Sequence, residues 1–153
     1  HLGLLDPARK RSASFLAGCS APDAYKFSTA PALHSLPFAG YLFQAARGQN
    51  GSQEQLDFAL GWGCHLAQDM VGHHIRGFLN PDEDHWLELA TDSYFWHSLP
   101  EVMLFEQISE EMQSWVVLAS REAHAADPTE SLPEISESDS NAAVSKFHLL
   151  TSA

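Results

Sequence analysis

The chain has 153 residues, 44% of them hydrophobic and 18% charged, which is enough for one domain with a core and too apolar for a disordered tail. Eight Lys and Arg stand against 20 Asp and Glu, a formal net charge of -12, and this excludes a surface that grips nucleic acid by broad phosphate neutralisation. Nine His are several times the usual share and His is the commonest metal ligand, whereas two Cys are too few for a disulfide scaffold.

Leu2 to Leu5 form an apolar run, and the basic trio Arg9-Lys10-Arg11 precedes Phe15, Leu16 and Ala17. Helical material is expected on either side of a break at Pro7, with the trio on a solvated face. Ala21-Pro22-Asp23-Ala24 reads as a loop or helix end, because a proline disfavours the helical conformation in the residue before it. The longest uncharged stretch, Phe27 to Ala46, contains Ser28, Thr29, Pro31, His34 and Pro37 and fails as a membrane span; the chain is expected to be soluble.

Leu36 to Arg47 is apolar at helical spacing and stops at Gly48, and Gln49-Asn50-Gly51-Ser52 is a turn. Ser52 with Gln55 resembles a capping box. A long helix follows from Gln53 to about Gly77, with Leu56, Leu60, Gly63, Ala67 and Val71 as its packing face. Gly61 and Gly63 each weaken a helix by about 1 kcal/mol relative to Ala, a cost that makes sense where another backbone approaches closely. Asn80-Pro81-Asp82 is a turn. Further helices are expected from Asp84 to Leu99 and from Glu101 to about Ala125. The stretch 127–141 is acidic and rich in Pro and Ser, and is expected to be a flexible loop; residues 142–153 begin another helix. No stretch alternates long enough for a strand, so the fold class is all-α, with residues 1–126 as its helical domain. The absence of an initial Met and the apolar run ending at Ala153 suggest a fragment.

His65, Asp69 and His73 recur every fourth residue, and each step of four turns a helix by only about 40°, so the three share one side. His74 falls roughly opposite His65. On the next expected helix His85, Glu88 and Asp92 also share a face. Two such helices packed together make a bundle-core metal site, whose nitrogen and oxygen donors suit zinc, with manganese and iron as alternatives. An H-x-x-x-D pair alone is more often a surface ion pair, and that alternative stays open. Cys19 and Cys64 are either one bridge or two free thiols.

Several segments resemble the zinc-dependent phospholipase C family: His1-Leu2-Gly3-Leu4-Leu5, Phe15-Leu16-Ala17-Gly18-Cys19-Ser20-Ala21-Pro22-Asp23, His34, and Gly61-Trp62-Gly63-Cys64-His65-Leu66-Ala67-Gln68-Asp69 with His73. The family includes bacterial phospholipases C and the N-terminal domain of glycosylphosphatidylinositol-specific phospholipase D, and the resemblance covers roughly residues 1–99. It implies an all-helical domain with two or three zinc ions. Asp23 would be a ligand and the candidate catalytic base, with His34, His65 and Asp69 completing the first shell and His1 on another ion. His73 and Glu88 would hold the remaining ion. The family places its last His where this chain has Asp84, so either Asp84 or the adjacent His85 serves.

The reaction implied is hydrolysis of a phospholipid or similar phosphodiester by metal-bound hydroxide, with transient membrane contact, no stable nucleic-acid binding, and secretion by family habit. The alternatives are a non-catalytic metal-binding module and a zinc nuclease for single strands, the latter needing an aromatic platform. His97, His124 and His148 are expected outside the site, and Trp62, Trp86, Trp96 and Trp115 in the core. Phe95-Trp96 is the candidate for contacting an acyl or glycerol portion. Residues 101–141 hold ten acids and one Arg, so most of the negative charge lies away from Asp23, Asp69 and Glu88.

Overall fold

The computed structural model describes residues 12–26, 30–76, 107–126 and 132–151. Within them lie five α-helices and no strand: α1 (Ala13–Lys26), α2 (Leu36–Ala46), α3 (Gln53–Arg76), α4 (Glu110–Ala126) and α5 (Glu137–Thr151), with a 3-10 turn at Pro31–Leu33. The chain divides into two compact units, residues 1–66 with 106–153, and residues 67–105. Of the second, only the last part of α3 is among the described residues.

Local signals start most of these helices. Ser12 caps α1, its Oγ accepting from Phe15 N at 3.1 Å, and the same hydroxyl donates to Asp57 Oδ2 on α3 at 2.9 Å. Ser35 caps α2 in an extended conformation, with a proline in the first turn, and Ser52 Oγ accepts from Gln55 N at 3.1 Å. Each hydroxyl satisfies an amide that the first helical turn leaves without a partner. The expected bounds of α2 and α3 are thus met within a residue or two.

Ala21 to Ala24, expected as a loop or a helix end, is the end of α1, which runs through the fully buried Pro22 to Lys26. An interior proline costs a helix about 3 kcal/mol, and here Ala17, Ala21 and Tyr25, all at most 1% exposed, bury enough apolar surface from the same helix to offset it. The helix expected from Glu101 starts at Glu110 in the structure. Residues 107–109 are not helical, because Ser109 Oγ accepts from Met112 N at 3.2 Å and caps α4 there; residues 101–106 lie outside the described residues.

The packing face of α3 also differs from the expected one. Phe58, Trp62 and Leu66 are buried, whereas Leu56, Leu60 and Gly63 are half-buried and Ala67 and Val71 exposed. The arc is set by Trp62, whose ring stands 5.7 Å from Tyr25, 5.3 Å from Phe38 and 6.0 Å from Phe58 between centroids. Aromatic side chains remove more apolar area from water than Leu or Val, so their arc is the one covered.

The acidic stretch 127–141 is not a loop throughout. Residues 127–131 lie outside the described residues, but Leu132 and Ile135 belong to the core and Ile135 N donates to the buried Ser120 Oγ at 3.2 Å. Residues 137–141 already belong to α5. Ser136 and Asp139 cap that helix reciprocally, Asp139 N donating to Ser136 Oγ and Ser136 N to Asp139 Oδ2, each at 3.2 Å. The Ser136 hydroxyl, which donates to Asp139 Oδ2 at 2.6 Å, and then the Ser136 amide hold the exposed Asp139 carboxyl below its usual range. Helix α5 packs on α1 and α4, and α2 on α4; a buried hydrogen bond of 2.6 Å between Tyr25 OH and Ser140 Oγ ties α1 to α5.

Candidate metal centre

Three side chains from three separate segments meet in the larger unit. Asp23 comes from the last turn of α1, His34 from the end of the 3-10 turn, and His65 from α3. Leu33, fully buried, anchors the turn beside His34, and the His34 amide donates to Pro31 O at 3.0 Å. Because Asp23 sits on a helix and not in a loop, its backbone is fixed by its own hydrogen-bond ladder.

The donor atoms converge. His34 Nε2 and His65 Nε2 are 3.1 Å apart, and Asp23 Oδ1 lies 3.5 Å from His65 Nε2 and 3.8 Å from His34 Nε2. A tetrahedral zinc ion with bonds of 2.0–2.1 Å spaces its ligands about 3.3 Å apart, and the three separations bracket that value. Two nitrogens and a carboxylate oxygen are also the donor chemistry zinc takes. Among the described residues these are the only three acidic, His or Cys side chains gathered in this way. The imidazoles are 14% and 12% exposed and the carboxylate 34%, so Asp23 is on the solvent side.

The protonation of His65 follows from its partners. Its Nδ1 lies 2.8 Å from the Cys19 carbonyl oxygen, and a carbonyl only accepts, so Nδ1 carries the proton. In the neutral ring Nε2 then holds a lone pair directed at Asp23 and His34. The 3.1 Å approach of the two Nε2 atoms therefore has His34 donating when no metal is bound, and His34 gives up that proton position to become a ligand. An imidazole fixed through its second nitrogen is the usual support of a metal-binding His. Sequence reasoning missed this carbonyl, since every residue has one and only the fold selects it.

Cys19 and Cys64 are free and half-buried. Burial, and then the nearby Cys64 charge, push the Cys19 thiol up to about 12, so without metal it is a protonated thiol at neutral pH; neither cysteine is among the side chains gathered at the centre.

The other expected site residues are placed as follows. Asp69 is on α3 in the smaller unit and half-buried. His73 is also on α3, but its side chain lies outside the described residues, as do those of His1, His74, Asp84, His85, Glu88, Asp92, Phe95, Trp96, His97 and Trp86. His124 is half-buried on α4 and donates to Leu132 O at 3.3 Å, and His148 lies beside Phe147 on α5; neither joins the centre. Trp62 is in the core and Trp115 packs against it.

Among the described residues the chain is all-helical, and its His, His and Asp cluster has the donor set and spacing of a zinc site. Comparison with known families goes further: the model of the zinc-dependent phospholipase C family matches residues 1–148, and the chain belongs to that family. No curated protein and no solved structure gives a match.

Proposed function

We propose that the protein is a zinc-dependent phosphodiesterase of the phospholipase C type, acting on a phospholipid or a related diester. The observation that carries the proposal is the convergence of Asp23, His34 and His65 with one side left to solvent through Asp23. Among the described residues the centre has three protein donors and an open side, which suits a catalytic zinc site, whereas structural sites close with four. When bound, zinc supplies a water acidified toward a pKa of about 7 and a positive centre facing the phosphoryl oxygens.

The chain's own residues have separable parts in this. His65, held by the Cys19 carbonyl, presents a lone pair without rearrangement, and His34 supplies the second nitrogen from a turn anchored by Leu33. Asp23, the most exposed of the three, orients the attacking water and accepts its proton at Oδ2, the oxygen left over when Oδ1 serves the metal. The net charge of -12 gives no basic groove for an anionic substrate, so recognition of the phosphate falls to the metal centre. The family's association with phospholipids and secretion supports a lipid-type substrate outside the cell. No helix among the described residues is long and apolar enough to cross a membrane. His1, Asp69, His73, Glu88, and His85 or Asp84, are proposed as further metal ligands.

The test is His65→Ala, with zinc content measured by atomic absorption and hydrolysis followed on a chromogenic phosphocholine diester and on single-stranded DNA. Loss of both bound zinc and diester hydrolysis is expected. Hydrolysis that persists in metal-free protein refutes the mechanism, activity on DNA alone refutes the substrate class, and tightly bound zinc without either activity marks a structural site.

A further inference from the structure

We propose that Gly61 is a positioning residue for the metal centre: by lacking a Cβ it lets α1 lie against α3 closely enough for the Cys19 carbonyl to hold His65 in its ligand tautomer. The inference rests on the function proposed above. Its physical basis is the crossing of the two helices. A Cβ on Gly61 would overlap the Phe15 carbonyl oxygen and stand 2.9 Å from Cys19 N and 3.0 Å from Gly18 C. The contact is reciprocal, since a Cβ on Gly18 would overlap the Phe58 carbonyl oxygen and stand 2.9 Å from its carbon. Backbone therefore rests on backbone, in the arrangement that small residues permit.

The crossing and the centre share a residue. The Cys19 amide nitrogen faces Gly61, and the Cys19 carbonyl accepts from His65 Nδ1 at 2.8 Å. His65 is four positions after Gly61, about 40° round the helix and one turn along it. Relieving the overlap between an added Cβ and the Phe15 carbonyl needs a displacement of about 1 Å, which takes the 2.8 Å bond out of hydrogen-bond range. His65 Nδ1 then loses the acceptor that fixes its proton, and the ring divides between two tautomers, one of which turns an N–H toward Asp23 and His34. Gly63 is different: among the described residues a Cβ there would meet only Phe43 Cε2, at 3.6 Å, an ordinary contact. The two glycines lie in one helix, so Ala at either position gains similar helix propensity, and only the crossing separates them.

The experiment uses the whole chain without metal, reading the tautomer of His65 by nitrogen-15 NMR, followed by zinc titration against a competing chelator. Wild type and Gly63→Ala are expected to show the Nδ1–H tautomer and equal zinc affinity. Gly61→Ala is expected to show mixed tautomers and zinc binding weaker by about 10- to 100-fold, the range seen when an outer partner of a metal-binding His is lost. Gly18→Ala obstructs the same crossing from α1 and is expected to give the same signature. An Nε2–H tautomer in wild type overturns the proposal, as does a folded Gly61→Ala or Gly18→Ala with the Nδ1–H tautomer and wild-type affinity. Collapse of both variants beside a folded Gly63→Ala assigns the glycines to the fold alone and overturns it too. A wild type with the Nδ1–H tautomer but no zinc affinity refutes the metal reading instead, a distinct result because the tautomer is read without metal.

Discussion

Replacing Tyr25 by Phe removes one hydroxyl from the interface that ties the helix bearing Asp23 to α5. Tyr25 and Ser140 are each 1% exposed, and their hydroxyls are 2.6 Å apart. In Tyr25→Phe the Ser140 hydroxyl stays buried after losing this bond, and an unmet buried hydroxyl costs about 2 kcal/mol. For a chain of this length that lowers Tm by about 4–8 °C. Removing both hydroxyls with Ser140→Ala leaves neither member of this pair buried without the other and is expected to cost less than Tyr25→Phe and Ser140→Ala summed, so urea unfolding of the double-mutant cycle should show a favourable coupling.

The same residue sets a pH dependence. Burial pushes the Tyr25 phenol from 10.0 to about 12, so the folded state resists ionisation that the unfolded chain accepts. The stability it contributes is complete below pH 10 and is lost as pH rises to about 12, a decline of about 3 kcal/mol over that window. Tyr25→Phe should flatten this alkaline limb, and one of the three tyrosines should titrate late by absorbance at 295 nm. A Tyr25→Phe protein within about 0.5 kcal/mol of wild type, with an unchanged alkaline limb, refutes the packing of α1 on α5 through this pair.

Pro22→Ala restores an amide to the interior of α1, a helix-propensity gain of up to about 3 kcal/mol, less the packing of the lost ring. A net stabilisation of about 1 kcal/mol in urea unfolding is expected, whereas a destabilised variant would argue for a loop at residues 21–24. Zinc at 100 times its dissociation constant should add about 2.7 kcal/mol by mass action; calorimetry with chelator and then with zinc should show a reversible rise in Tm, absent in His65→Ala. Both Cys residues should react with a thiol reagent in denaturant without prior reduction, and a non-reactive pair would reveal a bridge.

The sequence by itself determined what depends on near neighbours. Helical periodicity and the stop at Gly48 placed α2, and periodicity with the serine at 52 placed α3, because a cap and its amide lie three residues apart; the Ser35 cap of α2 came from the structure. The spacing of His65, Asp69 and His73 pointed to metal for the same local reason, while Asp23 and His34 came from the resemblance, as nothing in spacing connects positions 31 residues apart such as His34 and His65.

Tertiary structure decided the rest. Trp62 among Tyr25, Phe38 and Phe58 chose the buried arc of α3, which the spacing of Leu and Val had placed elsewhere. Burial of Pro22 and Tyr25 carried α1 through its proline, and Leu132 with Ile135 drew part of an acidic stretch into the core. The Cys19 carbonyl became a partner of His65 only because Gly18 and Gly61 let two backbones touch. Each outcome is a balance between a local preference of about 1 to 3 kcal/mol and burial against groups distant in the chain; the local preference is written in the sequence, but the distant partner exists only in the folded molecule.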